Sequence, residues 1–258
     1  MSQESDVLLQ AQDLSVAFDG FVAVDRVSLS LPQGGLIGIA GTNGAGKSTL
    51  FAALAGQIGV TQGQVHFAGQ DITTWRPHRR ARWGLARTFQ VPREFASLSV
   101  LDNLRAAAPN DRHETLGAAW WGRGAARQAD EALAQRADDV LALTGLTRVR
   151  DERSGALSGG QKKLLELGRA LMGEPQCILL DEPFAGVNPV LIEQLVEVLR
   201  TLHRRGMALV VIEHHLQALK ALVPRLVVMD QGHIIADGPP DQVLEDPRVQ
   251  SAYMGGVV

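Results

Sequence analysis

Cysteine is nearly absent from this sequence. Cys177 stands alone among 258 residues, and a single thiol excludes any disulfide within the chain. A reducing compartment is compatible with that count. Long apolar runs are missing too. None approaches the roughly 18–20 residues that a membrane-spanning helix needs, so a membrane role would require another chain to supply the spanning part. The first ten residues carry early acids and lack a basic stretch followed by an apolar core, so no export signal is expected. Charge of one sign is not in excess: 25 Lys and Arg face 28 Asp and Glu, a net charge of −3. That balance argues against a broad nucleic-acid surface and leaves room for a local basic patch. Internal repeats and low-complexity linkers are also lacking.

What remains is ordinary globular composition, 45% hydrophobic and 21% charged, in a length sufficient for a substantial core. Short apolar or alternating runs at 7–9, 14–18 and 27–31, broken by Asp and Gly, predict strands of a small antiparallel unit. Residues 36–40 predict a strand that ends in a glycine-rich turn, and 47–54 predict a helix, which together open an α/β nucleotide-binding unit. Another strand is expected at 64–67. From about 98 to 146 Ala, Leu, Arg, Asp and Glu dominate, with helical spacing at 131–143, so a helical insertion is expected there. Strand patterns return at 177–180 and 208–212, preceded by helices at 160–172 and 190–204, and a hairpin is expected at 225–235. One domain, with a core over 7–90 and 160–240, a helical subdomain over 91–159 and a tail over 241–258, is the simplest organisation.

Three stretches carry chemistry. Gly41-Thr42-Asn43-Gly44-Ala45-Gly46-Lys47-Ser48 matches the phosphate-loop pattern GxxxxGK[ST]. Its glycines let the backbone wrap phosphate closely, and the helix that follows adds its positive N-terminal end. Lys47 would reach the β and γ phosphates and Ser48 would ligate Mg²⁺. Thr49 continues the same helix turn. In Cys177-Ile178-Leu179-Leu180-Asp181-Glu182, an apolar strand ends in two acids. Asp181 suits a magnesium site at the strand's carboxyl end, and Glu182 suits polarising an attacking water. Leu157-Ser158-Gly159-Gly160-Gln161 precedes a second apolar-patterned helix and resembles another N-terminus prepared for an anion. Two phosphate sites with one phosphate loop imply that two chains share each nucleotide.

The order of these motifs resembles that of the ATP-binding-cassette (ABC) ATPases, across nearly the whole chain. The resemblance implies a P-loop α/β core, a mostly parallel sheet flanked by helices, with an antiparallel β subdomain and an inserted helical subdomain. It implies ATP and Mg²⁺ as ligands and ATP hydrolysis as the activity. It places Phe18 against adenine, Gln90 at the loop that senses the γ-phosphate, the metal and the membrane partner, and Ser158, Gly159, Gly160 and Gln161 on the γ-phosphate of the opposite subunit. Residues 185–188 fall at the dimer seam, and His214 matches the switch histidine, catalytic together with Glu182 and Gln90. No chemistry is assigned to His215. Thr42 stands where Pro is common in the family, and a loop that acts through backbone N–H groups tolerates that.

Further stretches, Arg87-Thr88-Phe89-Gln90, Ile212-Glu213-His214 and Ala252-Tyr253-Met254-Gly255 among them, resemble the longer ATPase of branched-chain amino acid importers. Urea importers and lipopolysaccharide exporters carry similar ATPases. The resemblance implies transmembrane permease subunits, a second ATPase subunit (a paralogue or an identical copy), a solute-binding protein, a peripheral place on the cytoplasmic face of the membrane, and no nucleic-acid partner. A soluble ABC ATPase acting on ribosomes or DNA usually carries two cassettes or a long coiled coil, and neither is present. A purely regulatory nucleotide sensor has no need of both Glu182 and His214. The basic cluster Arg76, His78, Arg79, Arg80 and Arg82 reads as a solvated helix face, and Trp120 and Trp121 as local packing or a partner surface.

Overall fold

The computed structural model describes residues 6–88, 94–109 and 123–254. Two compact units divide the chain, one of 1–90, 175–185 and 189–258 and the other of 91–174 and 186–188. The helix at Gly159–Leu171 therefore groups with the second unit rather than with the core.

In the first unit, β1 (Val7–Phe18) and β2 (Phe21–Pro32) pair antiparallel, and β4 (Gln62–Phe67) and β5 (Gln70–Asp71) extend the sheet in the order β2-β1-β4-β5. The runs at 7–9 and 14–18 are one strand, not two. The polar break between them is a bulge: Asp13 sits at φ 45, its N–H donates to the Ser28 hydroxyl, and that hydroxyl donates back to the Asp13 carboxylate. Across the pair, Arg26 at φ 46 donates its N–H to Ser15 Oγ. Irregularities of this kind bend a strand without ending it.

The second sheet has the order β10-β9-β3-β8-β7-β6, built from β3 (Leu36–Gly41), β6 (Leu85–Arg87), β7 (Cys177–Asp181), β8 (Ala208–Ile212), β9 (Arg225–Asp230) and β10 (His233–Gly238). Every neighbouring pair is parallel except the β9–β10 hairpin. β3, β7 and β8 are buried along their whole length, which is why they read as continuous apolar runs rather than alternating ones. Ile39 and Asp181 both pair with Ile212. The loops leaving β3, β8 and β7 thus emerge along one carboxyl edge, the place where open α/β sheets hold ligands.

Among the described residues, this unit also holds the phosphate loop's own helix, α1 (Lys47–Leu54), the short α2 (Pro77–Arg82) and four later helices. The second unit holds α3 (Val100–Ala107), α4 (Arg123–Thr144) and α5 (Gly159–Leu171), with Leu101, Leu104, Leu141, Leu164 and Leu165 buried. Back in the first unit lie α6 (Pro189–Arg204), α7 (Leu216–Leu222), α8 (Pro240–Glu245) and α9 (Pro247–Met254). The described part of the segment read as a tail forms two helices, each opened by a proline whose fixed φ suits the first turn. Among the described residues no helix is long and apolar enough to cross a membrane.

Candidate functional site

The loop from Gly41 to Ser48 leaves β3 and turns into α1. Gly46 adopts φ 94, and a Cβ there would stand 2.3 Å from the Ala23 carbonyl oxygen, so the strand β2 approaches the loop as only glycine permits. The loop is braced from two sides. Gly232 N–H donates to the Ala45 carbonyl at 3.1 Å and Asp25 N–H to the Gly232 carbonyl at 3.0 Å. The Thr42 hydroxyl donates to Asp230 at 3.2 Å, a tether that proline, common at this position in the family, cannot make. Ala45 is buried, while Asn43, Gly44 and Ser48 are exposed at the tip and the first turn, and Thr49 is half-buried.

Lys47 is 7% exposed and folds back over the loop. Its Nζ donates to the carbonyls of Gly41 and Thr42, each at 2.8 Å. Burial lowers the Lys47 amine below its ordinary value, and the carboxylates of Glu182 and Asp181 act the other way. The far end of α1 is equally built. Gly56, at φ 73, donates its N–H to the Ala53 carbonyl, and Gln57 donates to the Ala52 carbonyl, a two-bond left-handed helix end. Arg80 shares the Ala53 carbonyl with Gly56 and takes that of Leu54. Its guanidinium donates to Ala53 and Leu54 at 2.8 and 2.6 Å, and to Thr73 and Trp75. Arg80 is 1% exposed, which corrects the reading of the whole basic cluster as a solvated face. Burial pushes it down to about 10, so it stays charged at neutral pH and meets the negative end of α1, opposite the loop.

Asp181 ends β7. Its carboxylate pairs with Arg87 at 2.6 Å, and Arg87 also donates to the Gln57 side chain at 2.5 Å. The Asp181 N–H donates to the Thr88 hydroxyl at 3.3 Å. Glu182 follows at φ 47, a left-handed turn that few non-glycine residues adopt and that clusters at functional sites. Glu182 N–H is held by the Ile212 carbonyl at 3.0 Å. His214 leaves β8 and is 58% exposed, its Nδ1 3.9 Å from a carboxylate oxygen of Glu182. The two histidines divide their work: His215, not His214, is the cap, its Nδ1 accepting the Ala218 N–H at the start of α7.

Ser158 opens α5 as part of a reciprocal cap. Its Oγ accepts the Gln161 N–H at 3.3 Å, and the Gln161 side-chain carbonyl accepts the Ser158 N–H at 2.9 Å. The serine O–H remains available as a donor toward an anion. Gly159 is exposed with open space where a side chain would stand. At the β1–β2 turn, Phe18 is 47% exposed, and Phe21, its partner across the turn, is 65% exposed. Phe21 escaped sequence reasoning because it becomes Phe18's neighbour only through the hairpin. Gln90, Trp120 and Trp121 lie outside the described residues.

Tyr253 on α9, quoted above only as part of a family-like stretch, makes a further contact. Its hydroxyl is shielded from solvent; burial pushes the phenol up, and the Gly41 amide beside it pulls the other way. The last helix thereby rests against the first residue of the phosphate loop.

A family model described as ABC transporter matches residues 24–185. A second, described as branched-chain amino acid ATP-binding cassette transporter, matches 233–258. The chain is 36% identical over 248 residues to a probable branched-chain amino acid transport ATP-binding protein, LivG, of Archaeoglobus fulgidus, covering 96% of this chain and 95% of that one. It is 33% identical over 247 residues to the lipopolysaccharide export system ATP-binding protein LptB of Escherichia coli, covering 96% and 97%. Among solved structures, the ADP conformation of an ATP-binding cassette of an ABC transporter superposes with a TM-score of 0.83 at 33% identity, covering 96% of this chain and 99% of that one.

Proposed function

The chain belongs to the ABC transporter family of ATP-binding proteins, and from that premise we propose that it energises the uptake of branched-chain or other hydrophobic amino acids through a nucleotide site shared by two ATPase chains. In this reading each ATP lies between residues 41–48 of one chain and Ser158–Gln161 of its neighbour. Lys47 exchanges the carbonyls of Gly41 and Thr42 for β and γ phosphate oxygens, a strong charge-assisted replacement. The amides of the loop and the first turn of α1 complete the cradle. Phe18 stacks on adenine, with Phe21 beside it. Glu182 polarises the attacking water, and His214 supports the γ-phosphate from the adjacent strand end. The Ser158 hydroxyl and the Gly159 and Gly160 amides of the neighbour donate to the same phosphate.

The oxygen donors present fit magnesium. Ser48 offers a hydroxyl and Asp181 a carboxylate, with Gln90 as a third candidate. Among the described residues no cluster of three or more His, Cys, Asp or Glu side chains forms a metal cage. Magnesium keeps several waters and leans on substrate phosphates, so one hydroxyl and one carboxylate are enough protein ligands. Bound there, it would neutralise phosphate charge. Arg87 already holds one oxygen of Asp181 and so fixes the direction of the other.

Glu182→Gln is the test of the hydrolytic reading. The variant should bind ATP normally, lose about 10²–10⁴-fold in turnover, and accumulate as an ATP-bound pair in sedimentation. Turnover at the wild-type rate would remove Glu182 from the mechanism.

The amino acid assignment is carried by one observation, the match of residues 233–258 to the branched-chain amino acid cassette model. Relatives named for lipopolysaccharide export, at 33% identity, support a lesser second reading. Both readings place the chain peripherally, against permease subunits at the cytoplasmic membrane face. Purification of the chain with its partners from native membranes separates them. A solute-binding protein beside the permeases in the eluate supports import, and a lipopolysaccharide-binding periplasmic bridge beside them supports export.

A further inference from the structure

Glu213 is a buried carboxylate to which the proposed mechanism gives no task. It follows β8 directly and is 0% exposed. What meets it is backbone, from two different loops. One carboxylate oxygen accepts the Phe184 N–H at 2.6 Å. The other accepts the His214 N–H at 3.1 Å, with the His215 N–H at 3.4 Å. Phe184 lies two residues after Glu182, in the turn that leaves β7, and the Glu182 N–H is itself held by the last carbonyl of β8. The turn that presents Glu182 is therefore fastened to β8 at two points, and Glu213 supplies the second. Glu213 also stands 3.9 Å from His214 Nδ1, the same distance as Glu182.

Burying a carboxylate is costly unless its oxygens are satisfied, and here burial pushes the acid up while the three amides pull it back. Only a two-oxygen acceptor can serve both loops at once. Gln has one acceptor oxygen and would set its own N–H groups against one set of amides; Leu has none.

We propose that Glu213 is a positioning residue for ATP hydrolysis, its two oxygens locking the peptide of Phe184 to those of His214 and His215 so that the Glu182 carboxylate and the His214 ring keep one fixed register. This rests on the reading of Glu182 and His214 as the hydrolytic pair. The Glu182 turn holds a left-handed φ of 47 and needs outside restraint to keep it; Glu213 provides that restraint and transmits it to the neighbouring strand end.

The test uses the transporter assembled with its partners. Turnover, equilibrium ATP binding and thermal midpoint are measured for Glu213→Gln, Glu213→Leu, His214→Ala, Glu182→Gln and the double variant of Glu213→Gln with His214→Ala. Glu213→Gln should lower kcat by about 10²-fold, the loss expected of a reacting group displaced by about an ångström, while ATP affinity, set at the phosphate loop, stays within about twofold. In the His214→Ala background the same substitution should cost less than it does alone, because its hold on the His214 ring no longer counts while its hold on the Glu182 turn remains. A purely structural role would lower the thermal midpoint without splitting kcat from affinity, and its effect would add to that of His214→Ala. Should Glu213→Leu fail to fold, Glu213→Gln, which keeps the volume and one acceptor, still decides. Turnover of Glu213→Gln within about threefold of wild type, or full additivity in the double variant, overturns the proposal and leaves the hydrolytic pair standing. Wild-type rates in both Glu182→Gln and His214→Ala overturn that pair, and this inference with it.

Discussion

Replacing Arg80 by methionine should destabilise the protein without touching the nucleotide site. The side chain is almost fully buried and donates to four carbonyls; Ala53 keeps the Gly56 N–H as a second donor, so the carbonyls of Leu54, Thr73 and Trp75 are the ones that lose theirs. Each buried acceptor left without a donor costs about 1–3 kcal/mol. Methionine avoids the burial of a charge, which offsets part of that loss, so the net effect is about 3 kcal/mol. For a chain of 258 residues, with an unfolding entropy of about 2 cal/mol/K per residue, that lowers the thermal midpoint by about 6 °C. Circular dichroism melts, with and without ATP, measure it. ATP at about a hundredfold excess over its Kd should add about 2.7 kcal/mol to wild type and variant alike, since the loop lies at the opposite end of the helix. A midpoint within about 1 °C of wild type would refute the reasoning, and the carbonyls would then owe Arg80 no measurable stability. Arg80→Lys should fall between the two, because an ammonium reaches fewer of the four carbonyls.

ATP affinity should depend on the ionisation of Lys47. Burial lowers the free amine and a bound triphosphate raises it, so affinity is full below the lowered value and declines as pH rises through it. Equilibrium binding across neutral to alkaline pH reads this, and Lys47→Arg, charged throughout, should show a flat profile over the same interval. His215→Ala should lose the cap on α7, about 1 kcal/mol of stability, and retain turnover, whereas His214→Ala should lose turnover and retain stability. Melts and ATPase rates on the two variants separate the neighbouring histidines.

The phosphate loop, the acids that end β7 and the LSGGQ stretch were legible because their chemistry requires particular residues at particular spacings along one contiguous segment. The buried strands were legible because a parallel sheet covered on both faces writes long apolar runs. Pairing across long sequence separations was not. Nothing near Arg80 tells it from Arg79, whose guanidinium lies 3.7 Å over the Trp75 ring, until the end of α1 is brought against it. Thr42 and Asp230 meet across 188 positions. The break at Asp13 read as a strand end because Asp favours turns, yet Ser28 on the partner strand absorbs it. Glu213 looked like part of a motif, and its work shows only when two strand ends are placed side by side. The same holds for Tyr253, whose helix read as a tail because eighteen residues broken by Pro247 carry little periodic signal.

The central claim is that the loop at 41–48 is half of a site completed by another chain. Cys177, the one native thiol, is fully buried and burial pushes it far up, so it will not react with a thiol-directed photoprobe. Asn43 is exposed at the tip of the loop, and Asn43→Cys carries such a probe in the assembled transporter. On illumination with ATP bound, mass spectrometry should identify a cross-linked peptide from the LSGGQ stretch of a second ATPase chain, whether a copy of this chain or a paralogue, and the product should vanish without nucleotide. Cross-links confined to the same chain, or unchanged by ATP, would contradict the shared site.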